Sequence, residues 1–146
     1  MNEFRKPLTQ KEKLTEKCDQ MWSWVVKIKS GFICYYPGCK NGATQSHHIF
    51  PRSCKATRWD IDNGVASCTY HHHNTAHKHY ELFRDIIVKK YGKEQFDRLM
   101  KKAYSKVTDE SFVDNTFNHL LSEYDKGFKR LQDLLGGDNG NGMGKS

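Results

Sequence analysis

No stretch of this chain stays apolar for more than a few residues, far short of the roughly 20 that a membrane-spanning helix needs. Residues 1–17 are polar rather than signal-like. The expectation is a soluble, intracellular protein, cytoplasmic in location, with no membrane partner. Also absent are a His-Glu-x-x-His helix and a nucleophile elbow, which argues against a hydrolase of small esters or amides. No internal repeat and no linker between separate domains is visible, and 146 residues is about one domain's worth. Acidic residues are in deficit. Lys+Arg 24 against Asp+Glu 17 leaves a net charge of +7, with a pI near 9.1, a balance that favours a polyanionic partner such as nucleic acid over an acidic small molecule.

What the chain has instead is a concentration of imidazole and thiol. Every cysteine but Cys18 and every histidine but His79 and His119 lies between Cys34 and His77. The order is Cys34-Tyr-Tyr-Pro-Gly-Cys39, Ser46-His47-His48-Ile49, Asp62-Asn63-Gly64 and Cys68-Thr-Tyr-His71-His72-His73-Asn74-Thr-Ala-His77. Both groups ligate borderline-soft metals, so the stretch reads as one metal site or two. Five cysteines is an odd number, and in a reducing cell interior the spacings Cys34-x4-Cys39 and Cys68-x2-His71 suit a metal better than disulfides. Cys34, Cys39, Cys68 and His71 make two short-spaced pairs, the arrangement of a closed tetrahedral Zn²⁺ site that fastens a small sheet to a helix start. Either neighbouring imidazole, His72 or His73, is an alternative fourth ligand. The remaining imidazoles, His47, His48, His72, His73 and His77, exceed what a second closed cage needs. That surplus suggests an open site in which one ring of the adjacent pair binds a cation and the other faces water.

Local patterns place these groups on elements. Thr9-Gln-Lys-Glu12 is a capping box, and Leu14, Cys18, Met21, Val25 and Ile28 then mark one face of a helix ending near Ser30-Gly31. Cys18 reads as a core thiol, and Trp22 and Trp24 as packing residues flanking the stripe. Residues 32–36 have the content of a short strand, with Pro37-Gly38 as the turn between two cysteines. Residues 45–50 are a second strand, ended by Pro51, in which alternation sends His47 and His48 to opposite faces unless a bulge or loop intervenes. Residues 52–63 are irregular and carry Arg52, Lys55 and Arg58 with Trp59, a mixture suited either to a phosphate backbone or to a plain solvated loop. After an extended piece at 65–67, a helix is expected from His71–His73 to Tyr91, with Gly92 as its stop and Leu82, Phe83, Ile86 and Ile87 as its buried face. A further helix covers 93–106. A last one is capped by Thr108 and carries Phe112, Val113, Phe117, Leu120, Leu121, Tyr124, Phe128 and Leu131, as core or as an oligomer seam. His119 on it reads as structural, and residues 136–146 are too glycine-rich to order themselves.

Taken together, Cys-x4-Cys, His-His-Ile, Asp-Asn-Gly, Cys-x2-His-His and a further His five residues on resemble the HNH, or ββα-metal, nuclease motif over residues 31–91. More loosely they resemble small phage HNH and recombination endonucleases. The resemblance implies an α+β fold: a ββα-metal core with a structural Zn²⁺ at 31–91, an N-terminal helix at 1–30, C-terminal helices at 92–135 and a disordered tail at 136–146. It implies a metal-dependent endonuclease that hydrolyses DNA phosphodiester bonds to 5′-phosphate and 3′-hydroxyl ends. His48 is then the general base, and Asn63 holds the loop and the base in place. His47 and His72 bind the catalytic metal, and His77 completes the set, with His73 as its alternative. The metal is Mg²⁺, Mn²⁺ or another divalent ion, since an imidazole-rich site also takes Ni²⁺, Co²⁺ or Zn²⁺. Two departures stand out: His71 replaces the usual fourth cysteine, and no carboxylate directly precedes His48. An unperturbed imidazole base loses activity below about pH 6.5. The helices after Gly92 allow a homodimer. Without catalysis, the same residues make a zinc-binding nucleic-acid-binding module.

Overall fold

The capping box closes as the sequence suggests: Thr9 Oγ1 accepts from the Glu12 amide (3.2 Å) and Glu12 Oε2 from the Thr9 amide (2.7 Å). Two amides that a helix start leaves free are thereby satisfied. In the computed structural model, which describes residues 5–136, the chain runs as helix α1 (Gln10–Lys29), strand β1 (Gln45–His48), a 3-10 turn (Ile61–Asn63) and strand β2 (Gly64–Ser67). There follow one α-helical turn, α2 (Thr69–His71), a π-helical turn (His72–His77), and helices α3 (Tyr80–Tyr91), α4 (Lys93–Ala103) and α5 (Phe112–Gly136). The glycine-rich tail expected from 136 onward lies, beyond Gly136, outside the described residues. The fold is α+β, with β1 antiparallel to β2, Gln45 opposite Ser67 and His48 opposite Gly64. No helix among the described residues is long and apolar enough to cross a membrane.

Side chains alternate across a strand, so β2 turns Val65 to one face and Ala66 to the other, and each face has its own core. Val65 joins Cys34, Tyr35, Phe50, Phe83, Ile87 and Phe96, between the cysteine loop and α3–α4. Ala66 joins Cys18, Trp22, Val26, Trp59, Val113 and Leu120, between α1 and α5. The buried face of α1 is therefore broader than the expected stripe: Trp22 is 2% exposed rather than flanking, while Trp24 is exposed. Gly64 permits the close crossing of α1 over β2. A Cβ there would lie 2.6 Å from both Trp22 Cζ2 and Val26 Cγ2.

Four expected elements differ. Residues 32–36 are not a strand, because Gly31 and Phe32 both have left-handed φ (65° and 58°) and reverse the chain. Ile33 makes an isolated bridge to Gly42, and the Tyr35 amide donates to the Ala66 carbonyl (2.9 Å). The long helix expected up to Tyr91 is divided into α2, the π turn and α3, with a break at His79 (φ −127°, ψ 64°). Within α3, Phe83, Ile86 and Ile87 are buried but Leu82 is exposed. Finally, α4 ends at Ala103 rather than Lys106, and α5 starts at Phe112 rather than after a Thr108 cap. Asp109 accepts from the amide (2.9 Å) and the hydroxyl (2.7 Å) of Ser111, a local turn that competes with helix there.

Candidate metal centres and the histidine cleft

Cys34 and Cys39 come from the reversed loop after α1, and Cys68 and His71 from the N-cap and last residue of α2. Their ligating atoms all lie within 4.8 Å of one another. A tetrahedron with Zn–S about 2.3 Å and Zn–N about 2.0–2.1 Å has edges of about 3.8 Å between sulphurs and about 3.5 Å between sulphur and nitrogen. The observed edges are 4.0 Å (Cys39 Sγ to Cys68 Sγ), 3.6 Å (Cys34 Sγ to His71 Nδ1) and 3.3 Å (Cys68 Sγ to His71 Nδ1). The four residues are close enough to hold a metal ion and compatible with Zn²⁺, with His71 rather than His72 or His73 as the fourth. Burial opposes ionisation of Cys68, but the His71 amide and the Cys34, Cys39 and Asn41 side chains outweigh it and hold the thiol below its ordinary value. Burial raises the Cys34 thiol instead. Tyr36 stacks on the His71 ring at 3.9 Å and 4°, covering the group from outside.

His47, His72 and His77 form a second group whose ligating atoms lie within 4.8 Å. Residues five apart in an α-helix point about 140° away from each other, at about 100° per residue, whereas a π turn pairs i with i+5. The π turn therefore brings His72 Nε2 to 3.0 Å from His77 Nε2. That is a hydrogen-bond length, and equally the separation that two metal bonds of about 2.1 Å make at about 90°. His72 Nδ1 is buried with no hydrogen-bond partner, a polar group that costs about 1–3 kcal/mol if left unmet. His47 is pushed down to about 3 by burial and then by His72, His77 and His48. Burial, then His77 and His73, lowers His72 likewise. Both rings are thus neutral and able to ligate. His77 is exposed and the other two half-buried, so the group opens onto a cleft of about 1000 Å³ that also takes in His48, Asp19 and Arg52. His73 is exposed, outside the group, its ring 6.2 Å from that of His77. His119 is exposed on α5, and neither it nor Cys54 belongs to either group.

His48, on the other face of β1, lies flat against Trp22 at 3.8 Å and 8°. Its Nε2 is 2.8 Å from the Arg58 carbonyl. A carbonyl only accepts, so Nε2 carries the hydrogen and Nδ1 the free lone pair. Burial, the largest influence, lowers the ring's pKa, the Arg58 carbonyl opposes this, and the net direction is down. The ring is not the unperturbed imidazole assumed from the sequence. Asn63 is fully buried. Its Oδ1 accepts from the Phe50 amide (2.8 Å), and its Nδ2 donates to the carbonyls of Phe50 and Thr57 (3.0 Å each). It ties the beginning and the middle of the intervening loop to the start of β2.

Of the three loop cations, Lys55 is exposed, while Arg52 and Arg58 both pair with Asp19 on α1 (2.7 and 2.8 Å). Asp19 was not legible as a functional residue: it is a single carboxylate, 33 and 39 positions from those arginines. Trp22 does carry a signal, because the spacing Cys18, Trp22, Val26 is itself helical. No family model, curated protein or solved structure matches the chain.

Proposed function

We propose that the chain is a metal-dependent endonuclease of the HNH, or ββα-metal, type, hydrolysing DNA phosphodiester bonds. The observation that carries this reading is the adjacency, on β1, of a ligand-type and a base-type imidazole. His47 turns into the three-histidine group, and His48 has its Nε2 tied to Arg58, yet both line one cleft. A module that only binds nucleic acid needs no such pair. The Cys34, Cys39, Cys68 and His71 group suits a structural Zn²⁺, and His47, His72 and His77 suit Mg²⁺, Mn²⁺ or another divalent ion. A cation bound there would offset the charge growing on the phosphoryl and leaving oxygens.

Neutral His48 takes a proton at Nδ1 from a water aligned with the phosphodiester, an effect worth about 10²- to 10⁴-fold. Asn63 keeps the loop carrying the Arg58 carbonyl in place. Arg52, which lines the cleft, and exposed Lys55 on the same loop supply contacts to the phosphate backbone, which position DNA without reading its sequence. The test is nicking of supercoiled plasmid with Mg²⁺, Mn²⁺ or Ni²⁺. Wild type should nick, and His48→Ala should lose about 10²-fold or more. Nicking that survives His48→Ala would overturn the base assignment. A folded, zinc-loaded protein that cleaves no DNA would favour the zinc-binding nucleic-acid-binding module.

A further inference from the structure

We infer that Asp19 is a positioning residue for His48, acting through the loop that carries the Arg58 carbonyl; this deepens the nuclease reading and rests on it. A neutral imidazole has one lone pair, and the hydrogen bond made by the other nitrogen decides where that pair sits. For His48 the deciding partner is the Arg58 carbonyl. That carbonyl belongs to an irregular segment with no strand partner, so something else must hold it still.

Asp19 does so with four bonds. Its Oδ1 accepts from Arg58 Nε (3.0 Å) and Trp59 Nε1 (2.8 Å), and its Oδ2 from Arg58 Nη2 (2.8 Å) and Arg52 Nη2 (2.7 Å). Arg58 and Trp59 flank the one peptide group whose oxygen His48 uses, so both side chains beside that peptide are anchored on a single carboxylate. The same helix grips the ring. Trp22, three residues on from Asp19, stacks on His48, and its Nε1 donates to the Asp60 carbonyl (2.8 Å). One rigid element thus fixes the imidazole and the carbonyl that orients it.

A role in holding substrate would not explain this residue. Asp19 lines the cleft, where its negative charge repels a polyanion and offsets the positive charge that Arg52 and Arg58 bring to it. Its presence works against DNA affinity, and the bonds it makes hold the side chains on both sides of the peptide that orients His48.

Asp19→Asn is close to isosteric and removes the charge that clamps the arginines. In long-range ¹H–¹⁵N spectra above neutral pH, wild-type His48 should show hydrogen on Nε2 and a bare Nδ1, and the variant a mixture of tautomers at unchanged zinc content. The kcat for plasmid nicking should fall roughly 10- to 100-fold, as when an outer partner of a functional histidine is lost. The Kd for a short duplex, measured without added divalent metal, should be unchanged or tighter. In a His48→Ala background, Asp19→Asn should cost nothing further, because residues acting as a unit are not additive. A wild-type ring with hydrogen on Nδ1, an unaltered tautomer in the variant, a loss seen in Kd instead of kcat, or an additive loss with His48→Ala would each overturn the inference. Should Asp19→Asn not fold, Trp59→Phe removes one of the four bonds and should shift the tautomer the same way to a smaller extent; no shift would overturn it. If wild type nicks no DNA, the nuclease reading fails, and the tautomer measurement still decides what Asp19 does.

Discussion

The two side-chain groups grow from the same stretch, Cys68 to His77, and diverge in what decides a metal's role. Three sulphurs and one nitrogen make the first, with Cys34 and Cys68 each 4% exposed and Tyr36 stacked over the histidine. Four ligating atoms would complete a tetrahedron around an ion held there and leave no position open. Three nitrogens make the second, opening through exposed His77 onto a wide cleft beside His48. The difference lies in helical rotation. In the α-helical turn Cys68 and His71 meet at i, i+3, and in the π turn His72 and His77 meet at i, i+5. Successive residues point about 100° apart, so His71, His72 and His73 go in turn to the cysteines, to the cleft and to solvent. Geometry alone sends three adjacent imidazoles to three different places.

The strongest way to break this contrast is to empty the closed group. Cys68→Ser should abolish about one tightly held Zn²⁺ per chain and, with it, cooperative unfolding. Binding by structural zinc sites in isolated peptides amounts to about 10–16 kcal/mol. Metal analysis with circular dichroism checks it, and a folded variant that keeps its zinc would refute the assignment. His72→Ala should leave fold and zinc intact while losing Mn²⁺ at the open group and, on the nuclease reading, about 10²- to 10³-fold in nicking, equivalent to several kcal/mol of charge stabilisation. His73→Ala should behave as wild type. The reverse result would exchange the two residues' roles.

Gly64→Ala sharpens the comparison, because its methyl group meets Trp22, the ring against His48. Overpacking should cost about 1–3 kcal/mol in denaturant unfolding, with zinc content unchanged, since the closed group lies on the other face of the sheet. The smallest expected effect is on acid stability. Burial opposes ionisation of Asp19, but hydrogen bonds from Arg58 and Trp59 and the charges of Arg58 and Arg52 outweigh it and hold the carboxyl below 3.8. A carboxylate depressed in the folded state contributes stability above its ordinary value and loses it as pH falls through the folded one. The stability advantage of wild type over Asp19→Asn should be full above about pH 4 and shrink below it. A difference that does not change with pH would exclude the ion pairs as its source.

Much of the candidate site was legible because metal ligation works at short range in sequence: Cys34 with Cys39 and Cys68 with His71 are spacings that one turn closes. The Thr9 capping box and the stop at Gly92 are local chemistry of the same kind. The π turn was not legible, since its polar residues have no apolar period to separate i+4 from i+5. The strand read at 32–36 failed because β-type composition says nothing about the left-handed backbone of Gly31 and Phe32 that curls Cys34 towards its partners. By itself, then, the sequence determined which side chains hold the ligating atoms, through the identity and spacing of thiols and imidazoles. Tertiary structure alone decided which imidazole goes where and what steadies His48. Those outcomes depend on helix pitch and on contacts between α1 and a loop 33–40 residues away, and such contacts exist only once the two elements pack.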